Sequence, residues 1–170
     1  MTWDQYFHNI CEAVASKSPC LSRKIGAILV RNNSIISTGY NGPARGIPHC
    51  GEQRIKLDEA LQTALEATRI TDEMKTTCPR RLLYFDSGEG MEFCTAQHAE
   101  ENCVSNAASM GVSTLHTTLY MNSVIPCKNC LSTLINAGVI EIVVDNIEQY
   151  DKYSRFIIDN SNIFIRKFDI

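Results

Sequence analysis

Residues 114–144 read TLHTTLYMNSVIPCKNCLSTLINAGVIEIVV, and this stretch decides the fold class. Thr114 to Met121 has the β-branched and aromatic content of a strand, and Glu141 to Val144 predicts a second, short strand of the buried type. Between them, Pro126 begins a helix with apolar positions at helical spacing, and Gly138 ends it. A strand, a helix and another strand in this order predict a right-handed crossover between parallel strands.

The other segments extend this unit into an α/β fold with a partly parallel sheet and helices on both faces. The further predicted elements are a helix that ends before Ser18-Pro19, strands at Ile25–Val30 and Ser34–Thr38 joined by an Asn32-Asn33 turn, helices at Glu52–Met74, Gln97–Met110 and Tyr153–Asp159, and an edge strand at Ile163–Phe168. No repeat or linker splits the chain. We therefore expect one domain over residues 1–170, with a helical insertion at about residues 51–93.

Composition and charge exclude several classes of protein. The 170 residues are 44% hydrophobic, which is typical of a globular chain that buries a core without disulfides. A net charge of −3 does not supply the basic surface that binding to long duplex nucleic acid requires. Apolar stretches such as Gly26–Val30 are far shorter than a membrane helix, and the N-terminus carries no signal-peptide pattern. We expect a cytoplasmic protein whose eight cysteines are thiols or metal ligands.

Two motifs carry the chemistry. His98 and Glu100 stand at the start of one predicted helix, and Pro126, Cys127 and Cys130 stand at the start of the next. Parallel crossovers bring the two helix N-termini to one end of the sheet, where an imidazole and two thiolates can bind one Zn²⁺. Three protein ligands leave a fourth position for water, which is the catalytic arrangement of zinc. Glu100 lies two residues past the histidine and is predicted to carry protons rather than to bind the metal.

Each half of this pattern also has a plainer interpretation. His98 alone is typical of a helix cap, and Cys127 with Cys130 alone is typical of a redox pair or of half a structural zinc site. The two halves together, in this order and with Glu100 at this offset, form the signature of zinc nucleobase deaminases. The combination therefore favours a catalytic zinc centre.

Longer stretches extend the pattern: SPCLSRKIGAILV at residues 18–30, IISTGYNGP at 35–43, HAEEN at 98–102 and INAGV at 135–139. They resemble the deoxycytidylate (dCMP) deaminases of the zinc-dependent cytidine deaminase superfamily. The resemblance implies a three-layer cytidine deaminase-like fold with a central mixed five-stranded sheet. It implies hydrolytic deamination of dCMP to dUMP and ammonia, which supplies dUMP for dTMP synthesis. It also implies a homo-oligomer, hexamer or dimer, with dCTP and dTTP as allosteric effectors.

The resemblance also implies how substrate is held. Asn41 corresponds to a residue that hydrogen-bonds the nucleotide sugar, and the backbone at Ala99 lies where related enzymes bind the pyrimidine edge. For the 5′-phosphate we favour Arg23 or Lys24 over Lys128. The alternatives are an Asn-Gly turn without a ligand for Asn41 and solvated surface charges for the basic residues.

A second, structural zinc is the other implication of the resemblance. Its predicted ligands are four further cysteines, with His49 as an alternate: Cys20, Cys50, Cys78 and Cys94. The alternative is that these are buried cysteines acting as small apolar side chains. Cys11, His8 and His116 are assigned structural roles, since we find no metal-spaced partner near either histidine.

Other functions remain open from the sequence. The scaffold also serves deaminases of dCTP, modified dCMP, free cytidine or adenosine in tRNA, although the net charge disfavours the tRNA substrate. A nucleotide-sensing or structural zinc protein without turnover is the alternative from another class. Glu100 disfavours it, because a purely structural site has no use for that carboxylate.

Overall fold

The computed structural model describes residues 1–65, 71–149 and 151–170. The strands are β1 (Gly26–Arg31), β2 (Ser34–Tyr40), β3 (Thr117–Val124), β4 (Val139–Asn146) and β5 (Phe164–Lys167). The helices are α1 (Trp3–Ala15), α2 (Glu52–Leu57), α3 (Glu59–Ala64), α4 (Asp72–Thr76), α5 (Pro79–Leu82), α6 (Ala99–Ser109), α7 (Lys128–Asn136) and α8 (Lys152–Asp159), with a 3₁₀ turn at Met91–Phe93.

The five strands form one mixed sheet in the order β2-β1-β3-β4-β5. Strands β2, β1 and β3 pair antiparallel, and β3, β4 and β5 pair parallel through the crossovers that contain α7 and α8. The β1–β2 turn is tight because Asn32 and Asn33 adopt φ values of 51° and 57°, a conformation that asparagine tolerates. The predicted α/β class and mixed sheet are confirmed.

Along each strand, side chains point alternately to the two faces of the sheet, so the core has two parts. On one face, Ile28, Tyr120 and Val143 pack against Phe7 and Cys11 of α1. The opposite face packs against α6 and α7 in a larger cluster: Ala27, Leu29, Leu119, Ile142, Val144, Ala99, Cys103, Leu131 and Leu134. Each leucine, isoleucine or valine in it contributes roughly 1.5–3 kcal/mol of burial free energy, so this cluster fixes the two helices whose N-termini carry the predicted metal ligands.

Two glycines let helices approach the sheet backbone closely. A Cβ at Gly39 in β2 would lie 2.4 Å from the carbonyl oxygen of Ala99, and a Cβ at Gly26 in β1 would lie 2.2 Å from the carbonyl oxygen of Cys11. These are backbone atoms of α6 and α1, so a rotamer change cannot relieve the overlap. The sequence therefore places glycine at one contact on each face of the sheet.

The single helix predicted over Glu52–Met74 is wrong in its described part. Asp58 interrupts it between α2 and α3, with φ −102° and ψ 87°, and its side chain accepts a hydrogen bond from the backbone N–H of Leu61. Local capping by the aspartate therefore overrides the amphipathic pattern that favoured continuation. Residues 66–70 of that prediction lie outside the described residues.

The chain divides into two compact units. One unit comprises Met1–Ser18, Ile25–Asn41 and His98–Ile170 and contains the whole sheet with α1, α6, α7 and α8. The other comprises Pro19–Lys24 and Gly42–Gln97 and contains the segment predicted as a helical insertion. In the part of the chain that the structure describes, no helix is long and apolar enough to cross a membrane.

Candidate active site

The N-termini of α6 and α7 bring the predicted metal ligands together in the sheet-containing unit. His98 is the N-cap residue of α6 and Cys127 that of α7, yet neither side chain makes a capping hydrogen bond. Nδ1 of His98 instead lies 3.7 Å from Sγ of Cys127 and 3.3 Å from Sγ of Cys130, and the two sulfurs are 3.5 Å apart. The helix-cap interpretation of the His98 ring is therefore wrong.

These distances match what a zinc ion requires. Zn–N and Zn–S bonds of about 2.0–2.3 Å in tetrahedral geometry place neighbouring donor atoms about 3.3–3.8 Å apart. One imidazole nitrogen and two sulfurs, all within 4.8 Å of one another, provide the soft donors that zinc favours. The three residues fit a zinc ion with a fourth position left for water.

Hydrogen bonding within the trio separates the protonation states of its members. The close contact with Cys130, together with His98, lowers the pKa of Cys127 to about 4. The same contact and burial raise the pKa of Cys130. Its hydrogen bond to Cys127 raises the pKa of His98 to about 9. Metal binding at this site therefore displaces protons from His98 and Cys130.

Glu100 is the second residue of α6 and is only 3% exposed. Burial raises the pKa of this carboxyl, while the positive charge of His98 acts in the opposite direction. A buried carboxyl with a raised pKa, acted on by the charge of His98, is a candidate for proton transfer. The proton-transfer role of Glu100 stays a prediction.

Asn41 follows β2 in the same unit, and its side chain is fixed by two neighbours. Its Oδ1 accepts hydrogen bonds from the Ser18 hydroxyl, at 2.7 Å, and from the backbone N–H of Ile25, at 2.8 Å. The amide oxygen is therefore directed into the fold, and its orientation determines that of the amide nitrogen. The predicted sugar contact of Asn41 stays a prediction. Sequence reasoning missed Ser18, although it begins the SPC stretch quoted above.

The structure does not select a phosphate ligand among the basic residues. Arg23 and Lys24 belong to the second unit, where Nη2 of Arg23 donates a hydrogen bond to the Ser87 hydroxyl at 3.0 Å. Lys128 belongs to the sheet-containing unit, and its Nζ lies 5.5 Å from the ring centroid of Tyr153. The assignment of phosphate to Arg23 or Lys24 stays a prediction.

The four cysteines of the predicted second zinc site all lie in the second unit. Burial raises the pKa of Cys50 to about 11; Cys78 and Cys20 add to this, and Arg54 opposes it. Nη1 of Arg54 lies 3.8 Å from Sγ of Cys50. Among the described residues, these cysteines form no group of three whose ligand atoms all lie within 4.8 Å of one another. The second site is therefore not assembled in this structure.

Comparison with known proteins agrees with this geometry. The family model for the cytidine and deoxycytidylate deaminase zinc-binding region matches residues 1–146. The chain belongs to this family. Within it, the deoxycytidylate deaminase of Mycobacterium phage D29 is 33% identical over 147 residues, which cover 84% of this chain and 92% of the phage protein.

More distant relatives support the same placement. The deoxycytidylate deaminase of Schizosaccharomyces pombe is 27% identical over 98% of this chain, but this chain spans only 44% of the length of the yeast protein. The structure of dCMP deaminase from cyanophage S-TIM5 in complex with dCMP and dUMP superposes with a TM-score of 0.64. It covers 96% of this chain and 94% of the phage chain at 21% identity, which supports the predicted cytidine deaminase-like fold.

Proposed function

We propose that this protein catalyses the hydrolytic deamination of dCMP to dUMP and ammonia. The observation that carries the proposal is the convergence of His98, Cys127 and Cys130 in the unit that also buries Glu100. Family membership supports it, as do the names of the deoxycytidylate deaminases that the chain resembles. A site that only bound a structural zinc would have no use for a buried carboxyl beside it.

His98, Cys127 and Cys130 would hold the metal, and zinc bound there would supply a Lewis acid that lowers the pKa of a water molecule towards about 7. Glu100 accepts the proton of the attacking water and delivers it to N3 while the water oxygen forms a bond to C4. Glu100 then takes the remaining proton from the new hydroxyl on C4 and transfers it to the 4-amino group. The C4–N bond breaks with its electron pair on nitrogen, ammonia leaves, and the C4 carbonyl of dUMP forms.

Substrate orientation in this proposal depends on neighbouring groups. The backbone N–H of Ala99, the first residue of α6, donates to the pyrimidine edge. The amide of Asn41, oriented by Ser18 and Ile25, contacts the deoxyribose. Arg23 or Lys24 supplies a charged hydrogen bond to the 5′-phosphate.

Ammonia release tests the reaction. Zinc-replete protein is incubated separately with dCMP, CMP, cytidine and dCTP, and ammonia and the uracil product are quantified. We expect the highest kcat/KM with dCMP. A preference for dCTP would show that the substrate is a related nucleotide rather than dCMP. Full zinc occupancy with no turnover of any substrate would favour a nucleotide-sensing protein and overturn the proposal.

The proposal includes a structural zinc in the second unit, with Cys20, Cys50, Cys78 and Cys94 as ligands and His49 as an alternate. Two observations support it. The charges of Cys20 and Cys78 act on Cys50, and Nδ1 of His49 is buried without a hydrogen-bond partner among the described residues. Zinc binding by these thiolates would stabilise the folded chain, because the unfolded chain does not hold them together.

Zinc stoichiometry tests the second site. We expect two zinc ions per chain in metal-replete protein by elemental analysis, and one in Cys50→Ser together with a lower Tm. Cys11→Ser is the control for zinc content, because Cys11 lies in α1 of the other unit. One zinc per metal-replete wild-type chain would return the four cysteines to the apolar interpretation.

Quaternary structure, regulation and location complete the proposal. We infer a homo-oligomer, hexamer or dimer, with dCTP and dTTP as effectors, on the basis of the family resemblance. The cytoplasmic location is supported by eight free cysteines, which suit a reducing compartment. Sedimentation of the zinc-replete protein with and without dCTP measures the assembly. A monomer at all concentrations would contradict the oligomer.

A further inference from the structure

A second group of metal-capable side chains lies on the other face of the sheet, in the same unit. His8 and Glu12 belong to α1, and Asp145 belongs to β4. One ligand atom of each residue lies within 4.8 Å of the others, and Nε2 of His8 is 3.0 Å from Oδ1 of Asp145. We assigned His8 a structural role from the sequence, but its partner Glu12 stands one helical turn later and Asp145 is 137 residues away.

Backbone geometry explains why these residues meet. Residues four apart in a helix lie on one face, so His8 and Glu12 point in the same direction from α1. Val143 packs in the core beneath α1, and Asp145, two residues later in β4, lies on the same face of the strand. The group is partly open to solvent, since the side chains of His8 and Asp145 are 21% and 39% exposed. An ion can therefore reach it.

The hydrogen-bonded spacing of His8 and Asp145 is compatible with a metal site. Bonds of about 2.0–2.2 Å from a divalent cation to nitrogen and oxygen place adjacent ligand atoms about 3.0–3.5 Å apart. The 3.0 Å between His8 and Asp145 lies in that range. Burial raises the pKa of the Asp145 carboxyl and the negative charge of Glu12 adds to this, while His8 opposes it. A cation between the two carboxylates would relieve their repulsion.

Neighbouring side chains hold the ligands in place. Nδ2 of Asn122 donates to Oε1 of Glu12 at 2.8 Å, and Oδ1 of Asn122 accepts from the backbone N–H of Gly26 at 2.7 Å. The edge of the His8 ring meets Phe168, with ring centroids 4.9 Å apart. Supporting contacts of this kind orient the ligands of metal sites and reduce the cost of binding.

We propose that His8, Glu12 and Asp145 form a binding site for a divalent first-row transition ion, separate from the zinc centre on the opposite face. One imidazole nitrogen and two carboxylate oxygens suit Mn²⁺ or Zn²⁺ better than Mg²⁺ or Ca²⁺, which prefer oxygen ligands alone. The bound ion links α1 to the carboxyl end of β4 and stabilises the fold. The inference is independent of the deaminase proposal.

Manganese titration of the zinc-replete protein tests the site. Mn²⁺ is the probe because it favours nitrogen and oxygen ligands over thiolates, so the cysteine sites keep their zinc. Loss of the free-ion EPR signal counts the bound Mn²⁺, and elemental analysis checks that zinc is retained. We expect one Mn²⁺ per chain and a rise in Tm when Mn²⁺ binds.

Variants locate the bound ion. His8→Ala and Asp145→Asn are expected to weaken Mn²⁺ binding at least tenfold and to abolish the Mn²⁺-dependent rise in Tm. Glu12→Gln keeps the side-chain shape and the Asn122 contact, so its loss of binding cannot be ascribed to unfolding. The matched controls are the exposed residues His116, as His116→Asn, and Glu148, as Glu148→Gln. Equal Mn²⁺ binding by the wild type and the three site variants would overturn the proposal.

Discussion

Glu100 and Glu101 are adjacent carboxylates in the first turn of α6, yet their surroundings differ. Glu100 is 3% exposed and its pKa is raised by burial, whereas Glu101 is only partly buried. Neither residue belongs to the metal-ligand group formed by His98, Cys127 and Cys130. The neighbouring glutamate therefore provides an internal control for the chemistry assigned to Glu100.

Glu100→Gln is expected to lower kcat for dCMP by at least about 10²-fold, because it removes the group that accepts and delivers protons. Zinc content should remain one ion per catalytic site, whereas Cys127→Ser should lose that ion. Steady-state kinetics and elemental analysis provide the two readouts. Glu101→Gln is the control and should keep a near-parental rate. A Glu100→Gln enzyme as active as the wild type would show that another group carries the proton.

Ser18 acts at the same scale through Asn41. Its hydroxyl is buried and donates to the side-chain and backbone oxygens of Asn41, so Ser18→Ala leaves the Asn41 amide less firmly oriented. We expect a severalfold increase in KM for dCMP with a smaller change in kcat, and a loss of about 1–3 kcal/mol in the free energy of unfolding. Ser16→Ala removes an exposed hydroxyl two residues earlier and should change none of these values. An unchanged KM in Ser18→Ala would argue against a sugar contact by Asn41.

At the scale of elements, the position of α6 against β2 controls the active site. Gly39→Ala would introduce a Cβ against the backbone of α6 near Ala99, so the helix must move and take His98 with it. We expect a loss of at least about 1–3 kcal/mol in stability and a clear drop in zinc affinity. Gly26→Ala is the matched variant, since its Cβ would meet α1 on the other face.

Thermal unfolding and competition with a zinc chelator distinguish the two glycine variants. Both should unfold at a lower temperature than the wild type. Only Gly39→Ala should release zinc to the chelator more readily. Equal zinc affinities in the two variants would mean that the position of α6 does not control the metal ligands.

Elements with local signals could be predicted from the sequence. The Asn32-Asn33 turn, Pro126 before α7 and Gly138 after it each act within a few residues, and the structure confirms the elements that they delimit. The prediction of a single helix across Asp58 was wrong because a local cap at Asp58 competed with the amphipathic pattern of that segment. Patterns alone could not weigh one against the other.

In the candidate site too, local patterns could be predicted from the sequence and long-range contacts could not. The sequence shows two pairs of site residues because backbone geometry fixes their spacing within a helix turn: His98 with Glu100, and Cys127 with Cys130. The support of Asn41 by Ser18 and the meeting of His8 with Asp145 join residues 23 and 137 positions apart. Such contacts depend on tertiary packing, which one sequence does not encode in any local pattern.

At the scale of the molecule, Arg166 ties the two ends of the chain together. Its guanidinium contacts Asp4 of α1, with one N···O distance of 3.1 Å, and Nε lies 2.8 Å from Oε1 of Glu141 in β4. Burial alone would raise the pKa of Asp4, but hydrogen bonds from Arg166 and from the backbone N–H of Asp169 hold it below its usual value. The last strand is therefore anchored to the first helix by charge.

Asp4→Asn is expected to lower the free energy of unfolding by about 1–3 kcal/mol at neutral pH. Because the folded-state pKa of Asp4 is depressed, the wild-type advantage is present above the unfolded value of about 4 and is lost as pH falls through the folded value. Urea unfolding between neutral and acid pH measures this difference. Asp169→Asn is the control, and a wild-type advantage that persisted in acid would contradict the ionic origin.

The central claim concerns the nucleotide on which the whole molecule acts, and the ratio of kcat/KM for dCMP to that for deoxycytidine tests it most directly. A charged hydrogen bond to the 5′-phosphate is worth roughly 1.5–3 kcal/mol, which corresponds to at least about tenfold discrimination. We predict that zinc-replete protein releases ammonia and dUMP in equal amounts from dCMP, with a kcat/KM at least about tenfold above that for deoxycytidine. Equal kcat/KM values for the two substrates, or no ammonia from dCMP at full zinc occupancy, would contradict the account.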